Sequence, residues 1–211
     1  MRKGEQTRRQ IIRTAAPIFN QRGFDGAALS DLMLATGLEK GGIYRHFHNK
    51  EQLAGEAFDY SWKLALDTRF QGTQKIQNSL DRLKQIVRNF KDRRPGLVGG
   101  GCPLLNAATD FDDGNRRLRA RTRRAFGSWF ARLRAIVEEG QVRGEIRSRV
   151  DPVKLSVLIV SMLEGGLMLR QLQRRQEPMD IACHHLEEYL ETNIRAKNPN
   201  RGRRKHGHPG S

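Results

Sequence analysis

The sequence predicts an all-α chain, with an N-terminal three-helix helix-turn-helix unit followed by a larger helical region. Three observations lead there. Apolar residues recur at intervals of three and four almost throughout. No stretch sustains the two-residue alternation of a half-buried strand. Residues 23–53, GFDGAALSDLMLATGLEKGGIYRHFHNKEQL, hold two short helical patterns on either side of Gly37, the layout of a helix-turn-helix.

The elements follow in order. Ile12, Ala15, Ala16 and Phe19 form one helical stripe, which Gly23 ends as a residue free to take positive φ. Leu29, Leu32 and Met33 stripe a short helix to Ala35; a second short helix runs from Lys40 to Phe47 after the turn Thr36-Gly37-Leu38. Leu53, Ala57, Tyr60 and Leu64 begin a third stripe, and Ile76, Leu80, Leu83, Val87 and Phe90 a fourth. Pro95-Gly96 and Gly99-Gly100-Gly101 read as a flexible loop ahead of Cys102-Pro103. Leu118, Ala125, Phe126, Trp129, Leu133, Ile136 and Val137 stripe a long helix that Gly144 closes. Asp151-Pro152 then supplies a cap and a first helical residue, for a helix to Leu172. Pro178 breaks the chain, and Asp180 is placed to cap a last helix ending near Ile194.

Composition narrows the partners. Lys and Arg number 39 against 23 Asp and Glu, a formal net charge of +16. Such an excess repels itself, and a polyanion relieves the repulsion. From Arg195 onward the chain has basic but no acidic residues, with Gly, Pro and Asn between them, so 196–211 reads as a disordered tail, either a DNA tether or a solubilising end. No apolar run is expected to reach the roughly 18–20 residues that span a bilayer, because Ser156, Ser161, Glu164 and Arg170 interrupt Leu155 to Leu172. The polar start Met1-Arg2-Lys3-Gly4 lacks the apolar segment of an export signal, so a cytoplasmic location with reduced cysteines is expected. Cys102 and Cys183 form no metal-like cluster, and the pairs His184-His185 and His206-Gly207-His208 lack convergent ligands; no metal or cofactor is expected.

Within the two-helix motif, Leu32, Leu38, Ile43 and Phe47 are expected to pack inward with Phe19. The second helix of such a motif enters the major groove. Its outward face offers Lys40, Gly42, Tyr44, Arg45 and His46, and Gly41-Gly42 leaves room for close backbone approach. Lys40 and Arg45 are the donors suited to guanine edges. Tyr44, His46 and Lys50 are suited to phosphate oxygens, which position the helix without reading sequence. The plainer reading of Tyr44 and His46, as caps on a small core, stands beside this one.

This stretch resembles the DNA-binding domain of the TetR family of repressors. The matching residues are Gly23-Phe24, Gly26, Gly37-Leu38, Lys40-Gly41, Ile43-Tyr44-Arg45-His46-Phe47, Asn49-Lys50-Glu51 and Leu53, with the preceding runs Arg8 to Ile12 and Ala15 to Phe19. The chain departs from the family pattern at Ala27 and Ala28, where hydroxyl residues usually cap the next helix and touch phosphate, and at Glu39, usually Ser. The resemblance therefore implies a backbone phosphate contact at Ala28, or a substitute hydroxyl at Ser30. It also implies three regions: a DNA-binding domain over 1–50, a regulatory domain for ligand binding and dimerisation over 51–195, and the tail.

For the regulatory region the resemblance implies a pocket between helices. Trp62, Leu66, Phe90, Cys102, Leu105, Asn106, Phe126, Trp129, Phe130 and Met162 are the residues expected around it, although most large aromatics must also serve as core. Asn106 and Asp110 are possible polar anchors. Cys102, at a helix start, is a possible redox or electrophile sensor, since that position lowers a thiol pKa; an inert buried cysteine is the alternative. A dimer seam is implied over Leu155, Leu158, Ile159, Met162 and Gly166, completed by Ile181, His185 and Tyr189. The segment Leu104 to Asp110 and the helix from Lys50 are the expected transmitters between pocket and reading head.

The function so implied is a ligand-responsive repressor that binds a palindromic duplex operator as a homodimer and is released by a small molecule. The alternatives are a same-fold regulator signalled by thiol modification at Cys102, and a nonspecific nucleic-acid-binding protein relying on the tail and on Arg116, Arg117, Arg119, Arg121, Arg123 and Arg124. An enzyme pairing Cys102 with His184 or His185 finds no third orienting group.

Overall fold

A computed structural model describes residues 3–92, 99–110 and 115–196. Among them the chain forms nine α-helices and no named strand: α1 (Lys3–Gly26), α2 (Leu29–Thr36), α3 (Lys40–Tyr44), α4 (Lys50–Arg69), α5 (Ser79–Lys91), α6 (Pro103–Asp110), α7 (Arg116–Val142), α8 (Pro152–Gln173) and α9 (Glu177–Tyr189). Of the expected loop, Pro95-Gly96 lies outside the described residues, as does the tail beyond Ala196.

Local chemistry sets most helix ends. Asn49, Asn78, Asn115 and Asp151 cap α4, α5, α7 and α8 through side-chain oxygens that accept backbone N–H groups. Gly37 closes α2 in the left-handed region at φ 68° and ψ 19°. Two expectations change. Pro178 does not break the chain; it sits in the first turn of α9, where its missing N–H costs no helical bond. Asp180 is no cap: it accepts from Gln176 and pairs with Lys91, and these contacts hold its carboxyl below the usual range.

Two apolar cores share α4. Ile11, Ala15, Leu32, Ile43, Phe47 and Leu53 form the smaller, with Phe19 and Leu38 against its edge. The larger starts at Phe58 and runs through α5, α7, α8 and α9 around the fully buried Trp129. The break between them thus falls inside α4, between Leu53 and Phe58, and not ahead of that helix. α4 carries the last leucine of the smaller core and the first aromatics of the larger one.

α8 is long and apolar enough to cross a membrane, contrary to the expectation from its polar interruptions, and 39% of its most apolar stretch is buried within the chain. Both of its sides are apolar. Leu155, Ile159, Leu163 and Leu167 face the larger core, while Val157, Met168, Leu169 and Leu172 face outward.

The end of the last helix is clasped. Leu190–Ile194 continues α9 as a π-helical turn. Arg147 donates to the carbonyls of Thr192 and Arg195 at 2.8 and 2.9 Å. Glu191 accepts from Arg195 and is paired with Lys84, and these bonds lower its pKa from 4.5 to about 2. Because the folded value is depressed, the stabilisation is present above pH 4.5 and lost as pH falls toward 2. Thermal melting of Glu191→Gln against the parent chain should therefore show a deficit at neutral pH that closes across that acid window.

Candidate DNA-binding face and regulatory core

α3 is held by its inner side. Ile43 is fully buried, and Phe47 just beyond the helix nearly so, under the guanidinium of Arg8 at 4.8 Å. Lys40, Gly41 and Arg45 are exposed; Gly42, Tyr44 and His46 are half-exposed. A Cβ on Gly42 would rest in ordinary contact with Leu38 Cβ at 3.4 Å, and Gly41 faces open space. Lys50, half-buried at the start of α4, holds its ammonium 4.7 Å over the Phe24 ring.

The side-chain cap absent at Ala28 is not replaced, but the other half of a capping box, which sequence reasoning missed, is present. Asp31, three residues into α2, accepts the Ala28 N–H at 3.1 Å and pairs with Arg22 of α1. The Arg22 bond, then the Ala28 bond, hold its carboxyl below the usual range. Ser30 is exposed and makes no recorded cap, and Ala28 itself is exposed. The signal was legible: an acidic residue at the third helical position can reach back to the N-cap amide.

The glycine run before α6 lies against α1. Asn20 Nδ2 donates to Gly99 O at 2.6 Å, and Asn106 Nδ2 donates to Gly100 O at 2.6 Å and Asn20 O at 2.9 Å. A Cβ on Gly100, at φ 92°, would fall 2.9 Å from Asn20 O. At the other end of α6, Asp110 accepts the Phe24 N–H at 2.6 Å where Gly23 turns at φ 74°. Asn106 and Asp110 thus fasten α6 to α1. They also line a small cleft of about 30 Å³ with Phe19, Phe58, Ser61 and Pro103, roughly a tenth of a common small-molecule site.

The aromatic residues expected around a pocket close on the chain's own cation. Arg69, at the end of α4, is 3% exposed. Its guanidinium carbon lies 4.2 Å from the Trp129 ring centroid, 4.7 Å from Phe90 and 4.9 Å from Trp62. Phe90 and Trp129 stack with rings 6.1 Å apart, and Trp62 tilts against Trp129 at 5.7 Å. Arg69 Nη2 donates to Glu164 Oε1 of α8 at 3.2 Å and to Cys102 Sγ at 3.0 Å. Leu66 is buried in the same core; Leu105, Phe126, Phe130 and Met162 are half-buried at its edge. Arg69 and Glu164 were not anticipated as site residues, although a lone carboxylate amid the apolar run of α8 was the available signal.

Cys102 is fully buried and donates its thiol proton to Glu164 Oε1 at 3.0 Å. The expected lowered pKa is reversed. Burial raises it first, Arg69 pulls it down, and the Glu164 charge and bond raise it again, outweighing the bond from the Leu105 amide at the helix start. His184 and His185 lie exposed on α9, and the sulfur's partners are Arg69 and Glu164. Among the described residues no group of three potential metal ligands converges.

The expected dimer residues divide. Leu155 and Ile159 are only 3% and 1% exposed within the single chain, so they belong to its own core. Gly166 is buried against α9, where a Cβ would lie 3.0 Å from Ala182 Cβ. Leu158, Met162 and Tyr189 are half-buried, while Ile181 and His185 are exposed. The apolar outward face uses residues not foreseen: Val157, Gly165, Met168 and Leu172 fall on one side of α8 with Ser161 between them, at the three- and four-residue spacing of a packing stripe.

A buried-backed helix with a basic outer side, joined through a rigid rod to an all-helical bundle, defines a helix-turn-helix DNA-binding regulator. Residues 11–57 match the family profile "Bacterial regulatory proteins, tetR family", and residues 79–186 match "Tetracyclin repressor-like, C-terminal domain". The chain is 41% identical to a TetR transcriptional regulator from Chloroflexus aurantiacus J-10-fl, covering 93% of this chain and 100% of that one, with TM-score 0.89. A TetR-family regulator from Cytophaga hutchinsonii gives 31% identity, 94% and 99% coverage and TM-score 0.87. The HTH-type transcriptional repressor DhaR of Mycobacterium sp. strain GP1 is 24% identical over 82% of this chain and 86% of its own length. The chain belongs to the TetR family of transcriptional regulators, which are non-catalytic and typically ligand-responsive, operator-binding dimeric repressors.

The Arg69–Glu164 pair has a direct stability consequence. Removing one partner of a buried pair leaves an uncompensated charge and costs about 3–5 kcal/mol. Glu164→Ala is expected to lose stability on that scale in urea unfolding. A loss below about 1 kcal/mol, typical of an exposed pair, would show that the pair is not held as described.

Proposed function

We propose that this chain is a homodimeric repressor of the cytoplasm that reads a palindromic duplex operator through α3 and is released by a small-molecule effector. The observation that carries the reading is α3 itself, whose apolar side is sealed into the core while Lys40, Tyr44, Arg45 and His46 stand on its accessible side. Lys40 and Arg45 are assigned to base edges. Tyr44, His46, Lys50 and the Ala28 backbone are assigned to phosphates, and Gly41 and Gly42 to close approach. In a twofold dimer the two copies of α3 meet major grooves about 34–36 Å apart.

We assign the dimer seam to the outward stripe Val157, Ser161, Gly165, Met168 and Leu172 of α8, flanked by Leu158, Met162 and Leu169. Ile181, His185 and Tyr189 of α9 complete it. An apolar outer face on a helix whose inner face is already in a core calls for a second covering surface. The effector acts by linkage, favouring a form whose two reading heads no longer fit adjacent grooves. α6 and α4 carry the change, since α6 is bonded to α1 at both ends and α4 runs through both cores. The working division is 1–50 for reading and 51–195 for sensing and dimerisation, with α4 bridging the two.

Operator selection with the purified protein should return a near-palindromic site. On it, Arg45→Ala should cost about 1–3 kcal/mol and relax preference at one base position. Lys50→Ala should weaken all sequences alike and lower the salt slope by about one. Equal affinity for random duplex DNA would refute the reading. Separately, Leu172→Glu combined with Ile181→Glu should convert the dimer to monomer in analytical ultracentrifugation while helical circular dichroism persists; an unchanged mass would place the seam elsewhere.

A further inference from the structure

The interior of the regulatory region holds a guanidinium with an unused edge. Arg69 Nη2 serves both Glu164 and Cys102, but Nη1 is buried with no hydrogen-bond partner. One further buried donor beside it is also unpartnered: the indole Nε1 of Trp129, whose ring carries Arg69. The unpartnered groups around this cation are thus mainly donors. Glu164 Oε2, on the carboxylate that pairs with Nη2, is also buried without a partner.

We propose that the effector site is centred on Arg69 and takes a small molecule bearing a carboxylate on an apolar or aromatic body. This rests on the reading of the chain as an effector-released repressor and names the chemistry of that effector. A carboxylate meets a guanidinium edge with two oxygens in a fixed geometry. The half-buried Leu105, Phe126, Phe130 and Met162 at the edge of the same core supply apolar surface for the body. An organic cation suits the faces of Trp62, Phe90 and Trp129 in principle, but Arg69 already covers them. It is 3% exposed, and displacement would drive a charge out through a closed core. An anion needs no such exit; it adds to the cation in place.

The position also explains transmission. Arg69 ends α4, whose first residue is Lys50; Cys102 opens onto α6, which is fastened to α1; Glu164 lies on α8, whose outer face is the assigned seam. A carboxylate on Arg69 competes with Glu164 for the guanidinium. It thereby loosens the link from α4 to α8 at the point where reading head and dimer face communicate.

The chain has two tryptophans, Trp62 and Trp129, and both contact Arg69, so intrinsic fluorescence reports on this site. The experiment titrates the full-length protein with a panel of aromatic and medium-chain aliphatic carboxylates. Each is matched to its primary amide and its trimethylammonium analogue, reading tryptophan emission and affinity for the selected operator. At least one carboxylate should shift emission saturably, bind tenfold or more tighter than its amide, and weaken operator binding tenfold or more. Arg69→Met with Glu164→Gln, which removes both charges together, should keep its helical circular dichroism and lose the carboxylate response. Amides binding as well as acids, trimethylammonium compounds binding in their place, no response across the panel, or a response surviving in the double variant would each overturn the proposal. A parent protein that binds its operator but ignores every acid refutes this inference alone; one that binds no operator refutes the repressor reading beneath it.

Discussion

The buried ion pair between Arg69 and Glu164 governs the regulatory region. Burying either charge alone would cost several kcal/mol, so each is tenable only while the other is within reach. They sit on helices 95 residues apart in sequence, one ending α4 and one midway along α8. The pair therefore fixes the register of those helices against each other more tightly than apolar packing could, since apolar contacts tolerate sliding and a hydrogen-bonded pair does not. The three aromatic faces around the guanidinium supply part of the solvation that water would otherwise give. Cys102 joins as a thiol donor, and its raised pKa is the consequence of that burial and of Glu164.

From this centre the structure reaches the DNA-binding unit by two routes of different stiffness. α4 is continuous through both cores, with Lys50 at one end and Arg69 at the other. α6 is short and held by hydrogen bonds from Asn106 and Asp110 to α1, across a glycine loop packed too closely for side chains. Gly23 takes a backbone conformation that side-chain-bearing residues avoid, which lets Asp110 reach the Phe24 amide.

The surface divides by chemistry. Positive charge in excess suits a polyanion, and α3 presents part of it. α8 is apolar on both sides for separate reasons, with one side completing the chain's own core and the other left at the surface. That double apolarity gives it the length and hydropathy of a membrane span, yet Glu164 within it is tied to Arg69. The same helix thus contributes to the core, to the buried charge pair and to the assigned seam.

The helices, the cap at Asp151, the turn at Gly37 and the inward set Leu32, Ile43 and Phe47 were legible in the sequence. Each depends on residues within one or two turns of one another, and local spacing records such interactions directly. Family resemblance rested on the same local pattern. The division of α8 between core and surface was not legible: a helix apolar all round carries no period to say which side is inner, so Leu155 and Ile159 were assigned outward and Val157 and Met168 were missed. Nor was the Arg69–Glu164–Cys102 cluster, or the pairing of Asp31 with Arg22. A charge is written the same way in a sequence whether it ends in water or in a core. Only the packing of distant helices removes the water and makes its partner decisive.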